Sequence, residues 1–300
     1  MVRAMNHSAD ASSSARRRGI LWMLLTMLAF ATMDTFAKYL TQSFSLPQVV
    51  WARYLFTGVL VVAMVGRRFP AVLSTRQPAL QVARAVMALL TTGLFFAGLM
   101  LIPLADATAL VVTAPILVAA LSMPLLGERV GMRQWAGVAA GFVGAMIIVR
   151  PGVGVFQWAA LLPLGAAVLF SLHQITARIL SRTDAALTTL TYTAGIGVLI
   201  ASVVVPFFWI TPEPLEWLYM AAVGVFGCIG QFALIKAYEA APAAVVAPLA
   251  YSSLIWASLY GLVVFGDSPD TWTISGALVI VASGLYVQRG RRAQKPGIDE

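Results

Sequence analysis

The sequence predicts an all-α polytopic membrane protein: ten transmembrane helices forming two inverted five-helix repeats, with both termini in the cytoplasm. Three observations lead there: a composition too apolar for one soluble core, ten apolar runs separated by helix-ending residues, and an internal repeat at a spacing of about 140 residues.

Of the 300 residues, 60% are hydrophobic and 11% are charged. A soluble domain is about half apolar and about a quarter charged, so lipid must serve as solvent for much of this chain. The net charge of +8 does not point to nucleic acid, because the basic residues fall in connections and tails rather than on a face with stacking aromatics. Cys228 is the single cysteine, which excludes an internal disulfide and a cysteine-based metal site. Arg16, Arg17 and Arg18 precede the first apolar run and resemble the basic start of a signal peptide. That run is too long, however, and carries Asp34 and Lys38 where a cleavage site of small residues belongs, so it reads as a retained span.

Residues 1–18, rich in Ser and Ala, read as a disordered cytoplasmic tail. Apolar runs follow at 19–40, 47–66, 80–101, 104–126, 131–149, 157–180, 188–210, 215–237, 243–265 and 271–289. A span needs about 20 residues, and the breaks carry helix-ending chemistry: Pro47, Gly66 with Arg67 and Arg68, Pro103, Gly127, Pro151 with Gly152, Pro212, Pro214, Pro242 and Pro269. Residues 291–300 form a short cytoplasmic tail. With the N-terminus inside, 17 of the 20 basic residues fall on the cytoplasmic side, Arg76, Arg84, Arg129 and Arg133 among them. Lys38, Arg53 and Arg150 lie toward the outside, where the connections hold Asp106, Glu213, Glu216, Asp267 and Asp270. Basic residues stay cytoplasmic in membrane proteins, and one span more or fewer in mid-chain would scramble this partition.

Phe30 to Leu40 aligns with Phe170 to Leu180, matching Phe, Ala, the base (Lys38 with Arg178) and the closing Leu. Gly127-Glu128 likewise matches Gly266-Asp267, Gly137 matches Gly276, and Arg150 matches Arg289. The repeats are therefore 19–150 and 157–290. Five spans is an odd number, so the two copies lie upside down relative to each other. Inverted repeats characterise carriers that alternate access around an interface site, and they also occur in channels.

These residues reach a known pattern. Asp34 to Leu40, Arg53-Tyr54, Thr113-Ala-Pro115, Leu126-Gly-Glu-Arg129 and Arg150-Pro-Gly152 stand in the first half. His173 to Arg178, Lys236-Ala-Tyr238, Ala247-Pro-Leu-Ala-Tyr251 and Phe265-Gly-Asp267 stand in the second. In this order and spacing, from Gly19 to about Arg289, they resemble the drug/metabolite transporter superfamily, in particular its ten-span bacterial members built from two EamA-type repeats. The resemblance implies a carrier of amphipathic metabolites such as amino acids, S-adenosylmethionine, riboflavin or opine-type metallophores. It implies no ATPase, no catalysis and no cofactor, a place in the bacterial inner membrane, and export as the expected direction, with uptake the alternative. Asp267 departs from the pattern's usual Glu but keeps the charge.

Several polar residues inside the runs are candidates for solute binding. Asp34 and Lys38 are four apart on one helix face, and a charge inside a span needs a partner or a water-filled cavity. They read either as a substrate or proton site with Arg53 nearby, or as a structural ion pair. His173 and Gln174 stand where the first repeat has Met33 and Asp34. A histidine there suits proton coupling or an anionic solute, against the alternative of an interhelical hydrogen bond. Gln231 is similar but weaker. Tyr251, Ser252, Ser253 and Trp256 follow Pro248, whose missing donor opens backbone carbonyls, so they form a binding wall or a packing surface. Pro115 is the counterpart in the first half. Glu128 and Asp267, each after a glycine at a span's end, read as capping chemistry, and Gly137 with Gly141 as a close-packing helix face.

There is no Walker lysine motif, HExxH or Ser-His-acid arrangement, and two histidines exclude a His-rich metal site. The expected partners are a small metabolite and membrane lipid, with no nucleic acid, in a monomer or homodimer. The rival class is a membrane enzyme or sensor for a lipid-linked substrate, which would need catalytic residues clustered at one interface.

Overall fold

The computed structural model describes residues 2–68, 72–126, 132–149, 158–181, 183–241 and 246–293. The Gly127-Glu128 step, Arg129, Arg150 to Gly152 and Pro242, with the side chains of Arg133, Arg178, Pro248 and Arg289, lie outside what is described. No strand occurs among the described residues. In the first repeat the helices are α1 (Val2–Leu40), α2 (Leu46–Val65), α3 (Pro78–Leu99), α4 (Leu104–Val111), α5 (Ala114–Leu126) and α6 (Met132–Val149). The second holds α7 (Leu161–Leu180), α8 (Ala186–Val204), α9 (Pro214–Ala240), α10 (Ser253–Tyr260) and α11 (Thr271–Ala293). Helix α1 runs back to Val2, through the segment that composition alone marked as unstructured.

The helix ends follow from local chemistry. Proline opens α2, α3 and α9, where its missing N–H would have had no intrahelical partner anyway. Glu216 accepts the Glu213 N–H at 2.7 Å at the start of α9, half of a capping box. Gly266 takes the left-handed conformation at φ 72, and its N–H returns to the Leu262 carbonyl while that of Asp267 returns to Gly261. Glycine bears this geometry without a steric penalty.

Among the described residues, six helical stretches are long and apolar enough to cross a membrane, where ten spans were expected. Four further apolar stretches, Leu104–Val118, Trp135–Val149, Leu249–Phe265 and Thr271–Tyr286, are the last two of each repeat, and each borders side chains outside what is described. In the first repeat the fourth stretch is interrupted by a turn at Val112–Thr113, just before Pro115. In the second it changes from a 3₁₀ turn (Ala247–Ser252) through α10 to a π turn (Gly261–Phe265). Proline removes the bond that would carry a helix through the break. The irregularity therefore falls at corresponding places in both repeats.

Packing follows the repeat. Helix α1 lies along α9 as α3 lies along α7, and α2 packs on α9 as α3 packs on α8. Helix α1 meets α10 as α7 meets α4 and α5, while α2 crosses α8 and α6 pairs with α11. Exchanging each helix for its counterpart (α1 with α7, α2 with α8, α3 with α9, α4/α5 with α10, α6 with α11) returns the same set. These contacts run between the repeats, so the halves interleave. A Cβ on Gly144 would lie 2.8 Å from the Gly276 carbonyl, and one on Gly276 2.6 Å from that of Gly144; the backbones of α6 and α11 thus approach as small residues allow. Gly141 faces Ile116 and Ser283 on the same seam. One buried apolar cluster draws Leu40, Val49, Phe96 and Leu110 from the first repeat and Met220 and Ile280 from the second. The outside stays apolar, with Leu199 and Ile255 each 68% exposed, as lipid-facing positions require.

Two bundle ends can be told apart. At the first, Gln48 exchanges two hydrogen bonds with the Ile210 backbone, at 2.7 and 2.9 Å, and Ser45 donates to Phe208 O at 2.9 Å. At the second, the Tyr192 hydroxyl donates to Leu73 O at 3.0 Å, and Asp184 accepts from Thr75 and from Gln81 Nε2, the latter at 2.7 Å.

Candidate functional site

Asp34 sits six residues inside α1, about 9 Å from its end at 1.5 Å per residue. Its Oδ1 is buried with no hydrogen-bond partner among the described residues. Lys38, one turn on, does not pair with it. The ammonium instead reaches Asp267 Oδ2 at 3.0 Å and Ile102 O at 3.3 Å, and lies 4.9 Å from the centre of the Phe265 ring. Asp267 thus does more than end a helix: the acid that accepts an N–H at the start of α11 is Asp270, from Thr273 at 2.8 Å.

The charge that faces Asp34 comes from α2. Arg53 stands within Coulombic range of Asp34, its Nη1 donates to Thr92 Oγ1 on α3, and its guanidinium lies 5.6 Å from the ring centres of both Tyr54 and Phe96. Thr92 is a junction: its hydroxyl donates to Ala88 O at 2.9 Å and lies 3.1 Å from the Tyr54 hydroxyl. Gly227 on α9 keeps this space open, since a Cβ there would lie 3.1 Å from Met33 Sδ and 3.8 Å from Arg53 Nε.

A second polar group joins α3, α7 and α8. Arg84 Nη1 donates to Thr193 Oγ1 at 2.7 Å, and Nη2 lies 2.9 Å from His173 Nε2. A guanidinium can only donate, so Nε2 accepts and the neutral ring carries its proton on Nδ1. That atom and Arg84 Nε are buried without partners among the described residues. The His173 ring stacks on Phe170 at 6.0 Å. Arg53 is within Coulombic range of His173 as well, so the two groups share one field across five helices.

The remaining candidates are placed apart or left open. Gln174 and Gln231 are half-buried, and no hydrogen bond engages either side chain among the described residues. Tyr251 is buried, its hydroxyl lying directly over Gly284 of α11 without a partner. Ser252 donates to Leu249 O at 2.6 Å within its own turn, and Trp256 packs against the apolar cluster of Met23, Met27, Ala237, Ala241 and Val246. Around Tyr251 the packing reading therefore fits the contacts better than a binding wall.

Arg84, Thr92, Thr193 and Tyr54 were not among the sequence candidates. Arg84 was counted as a charge of a cytoplasmic connection although it lies within the apolar run 80–101. The structure sets it about 9 Å inside α3, bonded to two other helices. A charge inside a span was the signal available. The threonines carried none, since each satisfies itself locally on the preceding turn.

The chain is that of a multi-pass helical membrane transporter. It belongs to the EamA-like transporter family, whose model matches residues 17–150 and 157–287, the two repeats in turn. Among its relatives, a riboflavin transporter of Rhizobium johnstonii is 32% identical over 98% of this chain and 100% of its own length. An S-adenosylmethionine uptake transporter of Rickettsia prowazekii is 25% identical over 90% of this chain and 92% of its own. A pseudopaline exporter of Pseudomonas aeruginosa is 26% identical over 92% and 98%. A solved crystal structure superposes with a TM-score of 0.63 at 19% identity, covering 94% of this chain and 99% of that one; this likeness concerns the fold.

Proposed function

We propose that the protein is a secondary carrier that moves a small amphipathic metabolite across the bacterial inner membrane by rocking two inverted five-span bundles around a shared site. The single observation that supports this most is the set of helix contacts that maps onto itself when the repeats are exchanged. A structure built from interchangeable halves has a second arrangement of similar energy, with the roles of the halves reversed, and alternating access needs such a pair.

In this reading the four further apolar stretches complete ten spans, and the irregular fourth span of each repeat lines the site with its opened backbone. Both termini and the end bearing Arg67, Arg68, Arg76 and Lys236 face the cytoplasm. Asp34, Arg53, His173, Gln174 and Gln231, with Arg84, form the solute site, while Lys38 holds the first end closed through Asp267. No resident cofactor and no ATPase partner enter the cycle. The relatives are named for riboflavin, for S-adenosylmethionine uptake and for pseudopaline export. These solutes supply the first panel to test, and both directions are represented. A reversible carrier runs as its gradients dictate; export remains the expected direction and uptake the alternative.

The test is flux into proteoliposomes preloaded with each solute. Saturable uptake accelerated by counter-substrate is expected for at least one. Linear, non-saturating flux would make the protein a channel, and the absence of gradient-driven flux for the whole panel would defeat the carrier reading.

A further inference from the structure

We infer that Arg84 is the receptor for an acidic oxygen group on the transported solute, a carboxylate or phosphate, so that the solute is an anion or a zwitterion rather than a neutral molecule. This rests on the carrier reading above and specifies the chemistry of its site.

The inference starts from charge balance. The ion pairs Lys38–Asp267 and Lys236–Glu239 neutralise themselves. More than a turn inside the apolar stretches, the remaining described charges are Asp34, Arg53 and Arg84, which is one carboxylate against two guanidiniums. Asp34 faces Arg53. Arg84 has no acid within ion-pair distance among the described residues, only the neutral acceptors Thr193 Oγ1 and His173 Nε2. An unpaired charge held in low dielectric is costly, and a helix that needed only packing here would carry an apolar residue.

The donor count points the same way. A guanidinium has five N–H groups, and two are engaged. Of the three that remain, the one on Nε is buried without an acceptor. The neighbouring His173 Nδ1 presents a further buried N–H without a partner, while its other nitrogen is committed to Arg84. Unspent donors around one fixed cation match oxygen acceptors with negative charge, and the planar fork of arginine suits a carboxylate or phosphate in particular. Thr193 and His173 hold that fork from two helices of the other repeat, so it does not extend toward the bundle end as a free arginine would.

Thermal stabilisation of the purified protein in detergent, at constant ionic strength, tests this with matched probe pairs: acetate and acetamide, N-acetylphenylalanine and N-acetylphenylalaninamide, riboflavin 5′-phosphate and riboflavin. The acid member of at least one pair should half-saturate at a concentration roughly tenfold or more below its neutral partner, as charge-assisted bonds are about twice as strong as neutral ones. Arg84→Gln should abolish the preference and Arg84→Lys retain part of it. If Arg84→Gln does not fold, His173→Ala, which removes one of the two holds on the fork, should weaken the preference. The inference is overturned if neutral members bind as well as acids in every pair, if no acid member binds, or if the preference survives in Arg84→Gln. An acid preference without gradient-driven flux would leave this site standing and remove the carrier reading instead.

Discussion

Lys38 of the first repeat and Asp267 of the second form an ion pair of 3.0 Å at one end of the bundle, with the lysine 9% exposed. The contact joins the end of α1 to the left-handed turn that closes the π segment, and the Ile102 carbonyl and the Phe265 ring complete the lysine's surroundings. It fastens two elements that belong to different halves of the chain.

Removing one member of this pair should hurt more than removing both. Asp267→Asn strands a buried ammonium, whereas the double change to Lys38→Met and Asp267→Asn strands nothing. Because Asp267 is partly exposed, the coupling should be about 1–2 kcal/mol rather than the full value of a buried pair. A double-mutant cycle of melting in detergent measures it, and strictly additive effects would show that the pair contributes no coupling.

Asp34 offers the opposite case. Its buried oxygen has no partner, so Asp34→Asn should leave the melting temperature unchanged or raise it, while solute flux falls about tenfold or more, the scale of one lost charged contact. A variant that unfolds with no specific loss of flux would mark Asp34 as structural.

The seam between α6 and α11 should tolerate no added bulk. Gly144→Leu and Gly276→Leu each place a side chain against the facing backbone and should each destabilise by about 1–3 kcal/mol. Gly93, where an added Cβ meets nothing within 4 Å, provides the control at Gly93→Ala, expected near neutral in melting.

Acid should release the second-end fastening. Hydrogen bonds from Thr75 above all, then from Gln81 and the Arg76 N–H, hold the Asp184 carboxyl below the ordinary aspartate range. With its folded value lowered, the group adds stability above the unfolded value, about 3.9, and loses it as pH falls through the folded value. Wild type and Asp184→Asn should therefore differ in melting near neutral pH and converge below about pH 4. A gap that widens on acidification would contradict the sign.

Single cysteines in a Cys228→Ser background should report the orientation. Ser43, at the first end, should label from outside with an impermeant maleimide, whereas Ser74, at the second, should label only after permeabilisation. The reverse pattern would invert the topology.

Much of the helical architecture was legible because hydropathy and helix-ending residues are local properties. The repeat from Phe30 and Phe170 already divided the chain in two, and the family model matches residues 17–150 and 157–287. The break in the fourth stretch was not legible: composition records an apolar run through residues 104–126, whereas the turn at Val112–Thr113 is a backbone event within it. At the site, Asp34, Arg53 and His173 stood out as polar residues in apolar runs, and Arg84 carried the same signal but was assigned to a connection. Thr92 and Thr193 had no signal, because a threonine in a span usually bonds its own preceding turn.

By itself, the sequence determined the solvent, the helical class and the twofold order of the chain, since burying backbone in lipid leaves helices as the economical choice and the repeat is written in residue identities. Tertiary structure alone decided the partners. Lys38 lies four residues from Asp34 yet pairs with an acid 229 positions away, and Arg84 meets His173 across 89. Those choices depend on how the two halves interleave, which is set by close packing of small residues such as Gly144 and Gly276 and not by any local pattern of charge.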